Sequence, residues 1–309
     1  MKYDASVILL HYNQSSNMLK SLQRLAKQNT SYSFEVIIAD DGSNAQNIRQ
    51  IEENINTFPI PISIVWQRDK GFTAAKARNN GIKLSSSELI ILVDGDNIPT
   101  IDFVEQHINV HKDKENILCS GSRIWKSEVE LDGNHPSSEV VEKNRFLQKQ
   151  ENIQRYKSYN MNPWQAMYSF NLSFKKQQKT LFDENFIGFG LEDWEFSYRL
   201  VKKMGYIPKL KPSIKTIQYD DFHNTRNPFK NINQQDIKCY IKNALYFIEK
   251  YPEDKNLHKE IVKFLKKFEY CPKTHKFKRL FVDFQKLDEE NIHDTINKYR
   301  LITAYKSRL

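Results

Sequence analysis

Over the first hundred residues, short apolar runs alternate with stretches of helical spacing. Ser6-Val7-Ile8-Leu9-Leu10, Phe34 to Ala39, Ile62 to Trp66 and Glu88 to Val93 read as strands. Between them, Asn17 to Lys27 sets Met18, Leu19, Leu22 and Leu25 on one side of a helix, and Asn47 to Asn56 and Thr73 to Leu84 read as two more. Strand and helix in strict alternation predict an α/β fold, a parallel sheet with helices on its faces. Ligands of such sheets bind at the carboxyl ends of the strands. Polar residues collect there: His11-Tyr12-Asn13 after the first strand, Asp40-Asp41-Gly42-Ser43 after the second, Asp94-Gly95-Asp96 after the fourth.

Further on the pattern is less regular. Ile117 to Trp125, Ala166 to Phe174 and Ile214 to Tyr219 predict strands, and Lys126 to Asn160 predicts a charged loop with helical pieces. Glu192 to Met204 predicts a helix with Trp194, Tyr198 and Val201 on one stripe, stopped by Gly205. After Pro228 the segments Asp236 to Tyr251, Leu257 to Phe268 and Glu289 to Tyr305 predict amphipathic helices. A boundary near Arg226 divides a domain over residues 1–228 from a helical C-terminal extension over 229–309.

Charge sharpens this division. Of 47 Lys+Arg and 38 Asp+Glu, 18 and 11 lie from Lys230 onward, so +7 of the chain's +9 belongs to the extension. Such a surface suits an acceptor, an anionic membrane face or a second copy, although a solvated basic helix face has the same composition. No run of 18 apolar residues predicts a membrane span. The first apolar run is too short for a signal peptide. Cys119, Cys239 and Cys271 lack metal spacing and fit a reducing compartment. A cytoplasmic protein is expected, in peripheral contact with the inner membrane face.

The chemistry centres on Leu92-Val93-Asp94-Gly95-Asp96. A buried strand has no structural reason to end in two carboxylates, and residues two apart on an extended chain share a face. Two adjacent carboxylates call for a cation, and hard divalent ions bind oxygen ligands together with phosphates. A solvated turn would also use these residue types. Asp40 in its turn suits a contact to a base or ribose. Lys76, Arg78 and Asn79 lie on a helix whose cations suit phosphates, or a plain basic face. Gly188-Phe189-Gly190-Leu191-Glu192-Asp193 carries paired acids at a helix start, where the dipole favours them, and where a general base could stand. His223, after a strand and two aspartates, is a structural histidine or a metal ligand.

Together these segments resemble the family 2 glycosyltransferases with the GT-A fold, over roughly residues 5 to 225. Its fold is a mixed, mostly parallel sheet flanked by helices. The elements that match are Val7 to Asn13, Ile37 to Ser43, Ala75 to Gly81, Leu92 to Asp96 and Gly188 to Glu195. The last of these and the later His look most like chondroitin-polymerase and β-1,4-galactosyltransferase relatives. The resemblance implies a UDP-sugar donor with Mn2+ or Mg2+ and a carbohydrate-type acceptor. Tyr12 and Asp40 would hold the base, Arg78 and Asp94 the donor, and Asp96 and His223 the metal. Asp193 would be the base, with Glu192 positioning the acceptor and Trp194 lining its pocket. His11 stands where the family has a small residue. A nucleotidyltransferase would pair acids and metal in the same way, but would need a Gly- and Lys-rich loop after the first strand, which is missing. A basic module that binds anionic polymers is the other alternative. The paired acids would repel the phosphates of nucleic acid, so none is expected as a partner.

Overall fold

The computed structural model describes residues 3–127, 138–220, 234–271, 276–279 and 289–305. They fall into two compact units: Met1–Glu184 with Asp193–Asn224, and Asn185–Glu192 with Thr225–Leu309.

The first unit is built on β1 (Ala5–His11), β2 (Phe34–Asp40), β3 (Ile62–Trp66) and β4 (Leu89–Asp94), all mutually parallel, with β5 (Asn97–Pro99), β6 (Ile117–Ser127), β7 (Asn171–Lys175) and β8 (Ile207–Asp220) extending the sheet. The strand order is β3-β2-β1-β4-β7-β6-β8-β5. β7 runs antiparallel to β4 and β6, and β5 antiparallel to β8, while β6 and β8 are parallel. The sheet is therefore mixed, as the resemblance implies. Its parallel half was legible because both faces are covered: Val7, Leu9, Val36, Ile38, Ile91 and Val93 point into one apolar layer, and Ile8, Ile37, Ile90 and Leu92 into the other. α1 (Ser15–Leu25) and α4 (Phe103–His111) close the first layer through Met18, Leu22, Leu25 and Phe103. Ala75 and Ile82 of α3 (Ala74–Leu84) close the second. α2 (Ala45–Ile55) buries Ile51 alone.

Three expectations are corrected. Residues Ser138–Met161 form one 24-residue helix, α5, in place of a loop with helical pieces. It carries no apolar stripe to betray its period; Arg155, buried within it, donates to backbone carbonyls of Gly121 and Ala166. Residues 166–170 are not strand: a 3-10 turn over Pro163–Ala166 precedes β7. The helix beginning at Glu192 is α only through Tyr198 (α6), then widens into a π-helix over Arg199–Lys203, closed by Met204 N–H donating to Arg199 C=O.

The second unit packs α7 (Gln234–Lys250), α8 (Lys255–Leu265) and α9 (Glu289–Tyr305) with a hairpin of β9 (Phe268–Cys271) and β10 (Lys276–Arg279). Tyr299 of α9 donates from its hydroxyl to Leu265 C=O at 2.8 Å. The segment 185–192 belongs here. Phe186 packs edge-on against Tyr246 and Phe247, and Asn243 donates to Gly190 C=O at 2.7 Å. Gly190 sits at φ +105°, and a Cβ there would lie 2.0 Å from the Tyr240 ring.

Candidate active site

The parallel strands end level with one another. His11 lies opposite Asp40 and Asp40 opposite Trp66, while Leu10 lies opposite Asp94. The loops after β1, β2, β3 and β4 therefore open on one edge of the sheet.

At the β1–β2 corner, Gln14 N–H donates to His11 Nε2 at 3.1 Å. That leaves the Nδ1 proton of His11 to donate to Asp40 Oδ2, 2.6 Å away. Asp40 Oδ1 accepts from the backbone N–H of Gly42 and Ser43 at 2.9 and 2.7 Å. Burial pushes the Asp40 carboxyl up, but these bonds from His11 and Ser43 outweigh it and hold it below the ordinary value. Both Asp40 oxygens are thus engaged within the protein, and the side chain shapes the corner from beneath. Asp41 is also buried, and accepts from Thr73 N–H and Gln67 Nε2. Tyr12 stands out at 42% exposure, its hydroxyl 3.2 Å from Asp69 Oδ2. Trp66 is another open aromatic at this edge, at 52%.

The β4 end is tied back to β1. Gly95 N–H donates to Leu10 C=O at 2.8 Å, and a Cβ at Gly95 would lie 2.5 Å from that oxygen. Only glycine permits this approach, and it turns the chain so that Asp96 returns towards β8. Asp96 Oδ1 accepts from Asn97 Nδ2 at 2.8 Å and Oδ2 from Gln218 Nε2 at 2.9 Å. Burial, then the charge of Asp94, raises the Asp96 carboxyl above its ordinary value.

Arg78 projects from α3, 4% exposed, between two acids. Its NH2 donates to Asp94 Oδ1 at 2.9 Å, and its NH1 lies 3.8 Å from Asp193 Oδ1. Asp193 Oδ2 accepts from Ser169 N–H at 3.3 Å, whereas its buried Oδ1 accepts no hydrogen bond among the described residues. Burial raises the Asp193 carboxyl, and Asp94 adds to this, against the pull of Arg78 and Ser169. Lys76 is exposed on another side of α3, and Asn79 is spent on Phe182 and Glu184, so neither joins Arg78. Trp194 packs edge-on against Trp164 at 5.7 Å, which in turn packs against Tyr198. Glu192, the buried first residue of α6, groups with the second unit. His223 lies outside the described residues.

Among the described residues no three His, Cys, Asp or Glu side chains gather as a metal cage. A carboxylate under the charge of a second one, with few protein ligands, fits a hard cation that arrives bound to a diphosphate. Ser169, Arg123 and Gln218 are the residues that no motif announced. Ser169 acts through its backbone, and Arg123 and Gln218 reach Asp96's surroundings only through the pairing of β5, β6 and β8.

A model of the family described as Glycosyl transferase family 2 matches residues 6–175. The chain is 24% identical to an uncharacterized glycosyltransferase, YfnE, of Bacillus subtilis (strain 168), over 94% of this chain and 80% of that protein. It is 30% identical to the hyaluronan synthase of Pasteurella multocida over 64% of its own length, and spans 22% of that synthase. Among solved structures, residues 1–349 of S. aureus TarS in complex with UDP-GlcNAc superpose at a TM-score of 0.55 with 15% identity, covering 84% of this chain and 71% of that one. The family model spans more than half of the chain and includes the paired-acid turn, and the mixed sheet superposes on a solved structure of the same fold: this protein belongs to glycosyl transferase family 2 and is a glycosyltransferase of the GT-A fold.

Proposed function

We propose that this enzyme moves a sugar from a UDP-sugar to a hydroxyl of a carbohydrate-type acceptor, with inversion, and that Asp193 is the base. The observation that carries this reading is Asp193 Oδ1, a buried carboxylate oxygen with no hydrogen-bond donor among the described residues, beside Arg78. A base must offer a lone pair to the acceptor hydroxyl, and a carboxylate that is raised by burial binds the proton better than one in water.

The acceptor O–H proton passes to Asp193 Oδ1 while the acceptor oxygen bonds the anomeric carbon from the face opposite the diphosphate. The bond from that carbon to the diphosphate oxygen breaks, and UDP departs with the electron pair. Arg78 keeps Asp193 turned towards the acceptor and steadies Asp94, which contacts the donor sugar or ribose. Tyr12 lies against the base, above the corner that Asp40 and His11 hold rigid. Asp96, with His223 as a further ligand, would hold a divalent cation, Mn2+ or Mg2+, which would supply neutralisation of the charge on the leaving diphosphate. Glu192 and Trp194 serve the acceptor. The complex of TarS with UDP-GlcNAc supports a uridine donor on this fold. The basic residues beyond 229 support contact with an anionic acceptor or membrane face.

The test is release of nucleotide diphosphate from a panel of UDP- and GDP-sugars, with and without Mn2+ or Mg2+ and with simple saccharide acceptors. Turnover of a UDP-sugar that requires a divalent ion is expected. Metal-independent turnover, or preference for GDP-sugars, would overturn the donor assignment.

A further inference from the structure

Asp96 is gripped at both oxygens by side-chain amides from two strands. Asn97 Nδ2 donates to Oδ1 at 2.8 Å and Gln218 Nε2 to Oδ2 at 2.9 Å. Asn97 and Gln218 lie directly opposite each other in the β5–β8 pairing. Behind each amide stands a donor. Thr216 Oγ1 donates to Asn97 Oδ1 at 3.1 Å, and Arg123 NH1 donates to Gln218 Oε1 at 2.7 Å.

These donors matter because an amide has two unlike ends that exchange places by a simple turn about its last bond. Turned over, Gln218 would face Asp96 with an oxygen, and two acceptors would repel. A guanidinium holds five N–H donors and no acceptor, so it meets only the oxygen end of the amide. Arg123 is itself held in place. Its guanidinium carbon lies 4.7 Å from the ring of Trp125 and 4.7 Å from that of Phe170. Trp125 pairs in register with Gln218 across β6 and β8. A chain of contacts thus runs from two aromatic rings through a cation and an amide to one carboxylate oxygen.

We propose that Arg123 is a positioning residue for Asp96: it fixes which end of the Gln218 amide faces the carboxylate, and so directs the remaining lone pairs of Asp96 to the donor's cation. This rests on the reading of Asp96 as the cation's ligand. Gln218 is one hydrogen bond removed from Asp96, and partners so placed typically govern about 10- to 100-fold in metal affinity; Arg123, one bond further out, acts through it.

The experiment is a titration of the full chain with Mn2+ in the presence of UDP, with free Mn2+ read by paramagnetic resonance. It compares wild type, Asp96→Asn, Arg123→Met, Gln218→Met and the double variant, with melting temperatures for each. Each single variant of the relay is expected to weaken Mn2+ binding roughly tenfold. The double variant is expected to be no weaker than either single one, because both act through one contact. Independent, multiplying losses, or wild-type affinity in a folded Arg123→Met, would overturn the relay. If Arg123→Met does not fold, wild-type affinity in Gln218→Met overturns it equally. Should Asp96→Asn bind Mn2+ like wild type, the reading of Asp96 as the ligand is what fails, and the relay falls with it.

Discussion

Asp193 lies 3.8 Å from Arg78, near enough to feel its charge and too far to share a hydrogen bond with it. The same guanidinium is bonded to Asp94 at 2.9 Å. One cation thus serves two acids unequally, leaving Asp193 the freer of the two to accept a proton.

Replacing Asp193 with Asn should separate chemistry from stability. Transfer should fall by roughly 100- to 10,000-fold, as expected on loss of a general base. UDP affinity should hold. The melting temperature should not fall, because a buried carboxylate raised by burial and by Asp94 is exchanged for a neutral amide. Transfer at near wild-type rate would remove Asp193 from the mechanism.

The pH dependence follows from the same environment. As the proposed base, Asp193 would have to be ionised to act, and burial, with Asp94, lifts its carboxyl above the ordinary value against Arg78. The acid limb of kcat/KM should therefore lie above the usual carboxylate range. Arg78→Met removes the opposing charge and should shift that limb to still higher pH. A limb that stays in place in this variant would show that another group controls it.

The buried histidines of α4 give a third expectation, for stability. His107 bridges Ser173 and Asn171, and His111 Nε2 lies 2.8 Å from Ser173 Oγ. Burial lowers them to about 3 and about 4, so the fold holds both neutral. The stability they contribute is complete above the unfolded value of about 6.5 and drains away as pH falls towards the folded values. Each should contribute a slope of about 1.4 kcal/mol per pH unit between those limits. Urea unfolding at a series of pH values should show His111→Gln losing one such slope relative to wild type; parallel curves would contradict this.

Gly190→Ala tests the segment 185–192. At φ +105° and against the Tyr240 ring, the added methyl must move the loop or the ring, at a cost of about 1–3 kcal/mol. The expected result is a lower melting temperature and a raised KM for acceptor with little change for the donor. An unchanged melting temperature would mean that the loop adapts without strain.

How far these features can be read from the chain depends on how local they are. β1 to β4 are covered on both faces, so each is a plain apolar run that stops where the sheet stops, and Asp94 marks that point by itself. The apolar pattern reaches β8 only from Ile214 onward, because Lys209, Lys211 and Lys215 alternate along its exposed side and Pro208 and Pro212 break the pattern before it. The 24 residues of α5 show too little apolar periodicity to be told from a charged loop. β5 is three residues long, below the reach of any periodic signal. At the site, Asp94, Asp96 and Asp193 are visible because carboxylates at a strand end and a helix start stand out. The Arg78 bridge and the Arg123–Gln218 contact are made by distant stretches of chain, and nothing in either stretch points to the other.

The division of the chain between Glu192 and Asp193 bears on how this enzyme can be rebuilt. Anyone exchanging its C-terminal helices for those of a relative would be tempted to cut once, near residue 225. That junction would strand residues 185–192 against a foreign helix, without Asn243 for Gly190 or Tyr246 and Phe247 for Phe186. A chimera that also transplants those eight residues, with a second splice between Glu192 and Asp193, keeps the segment with the helices it packs against.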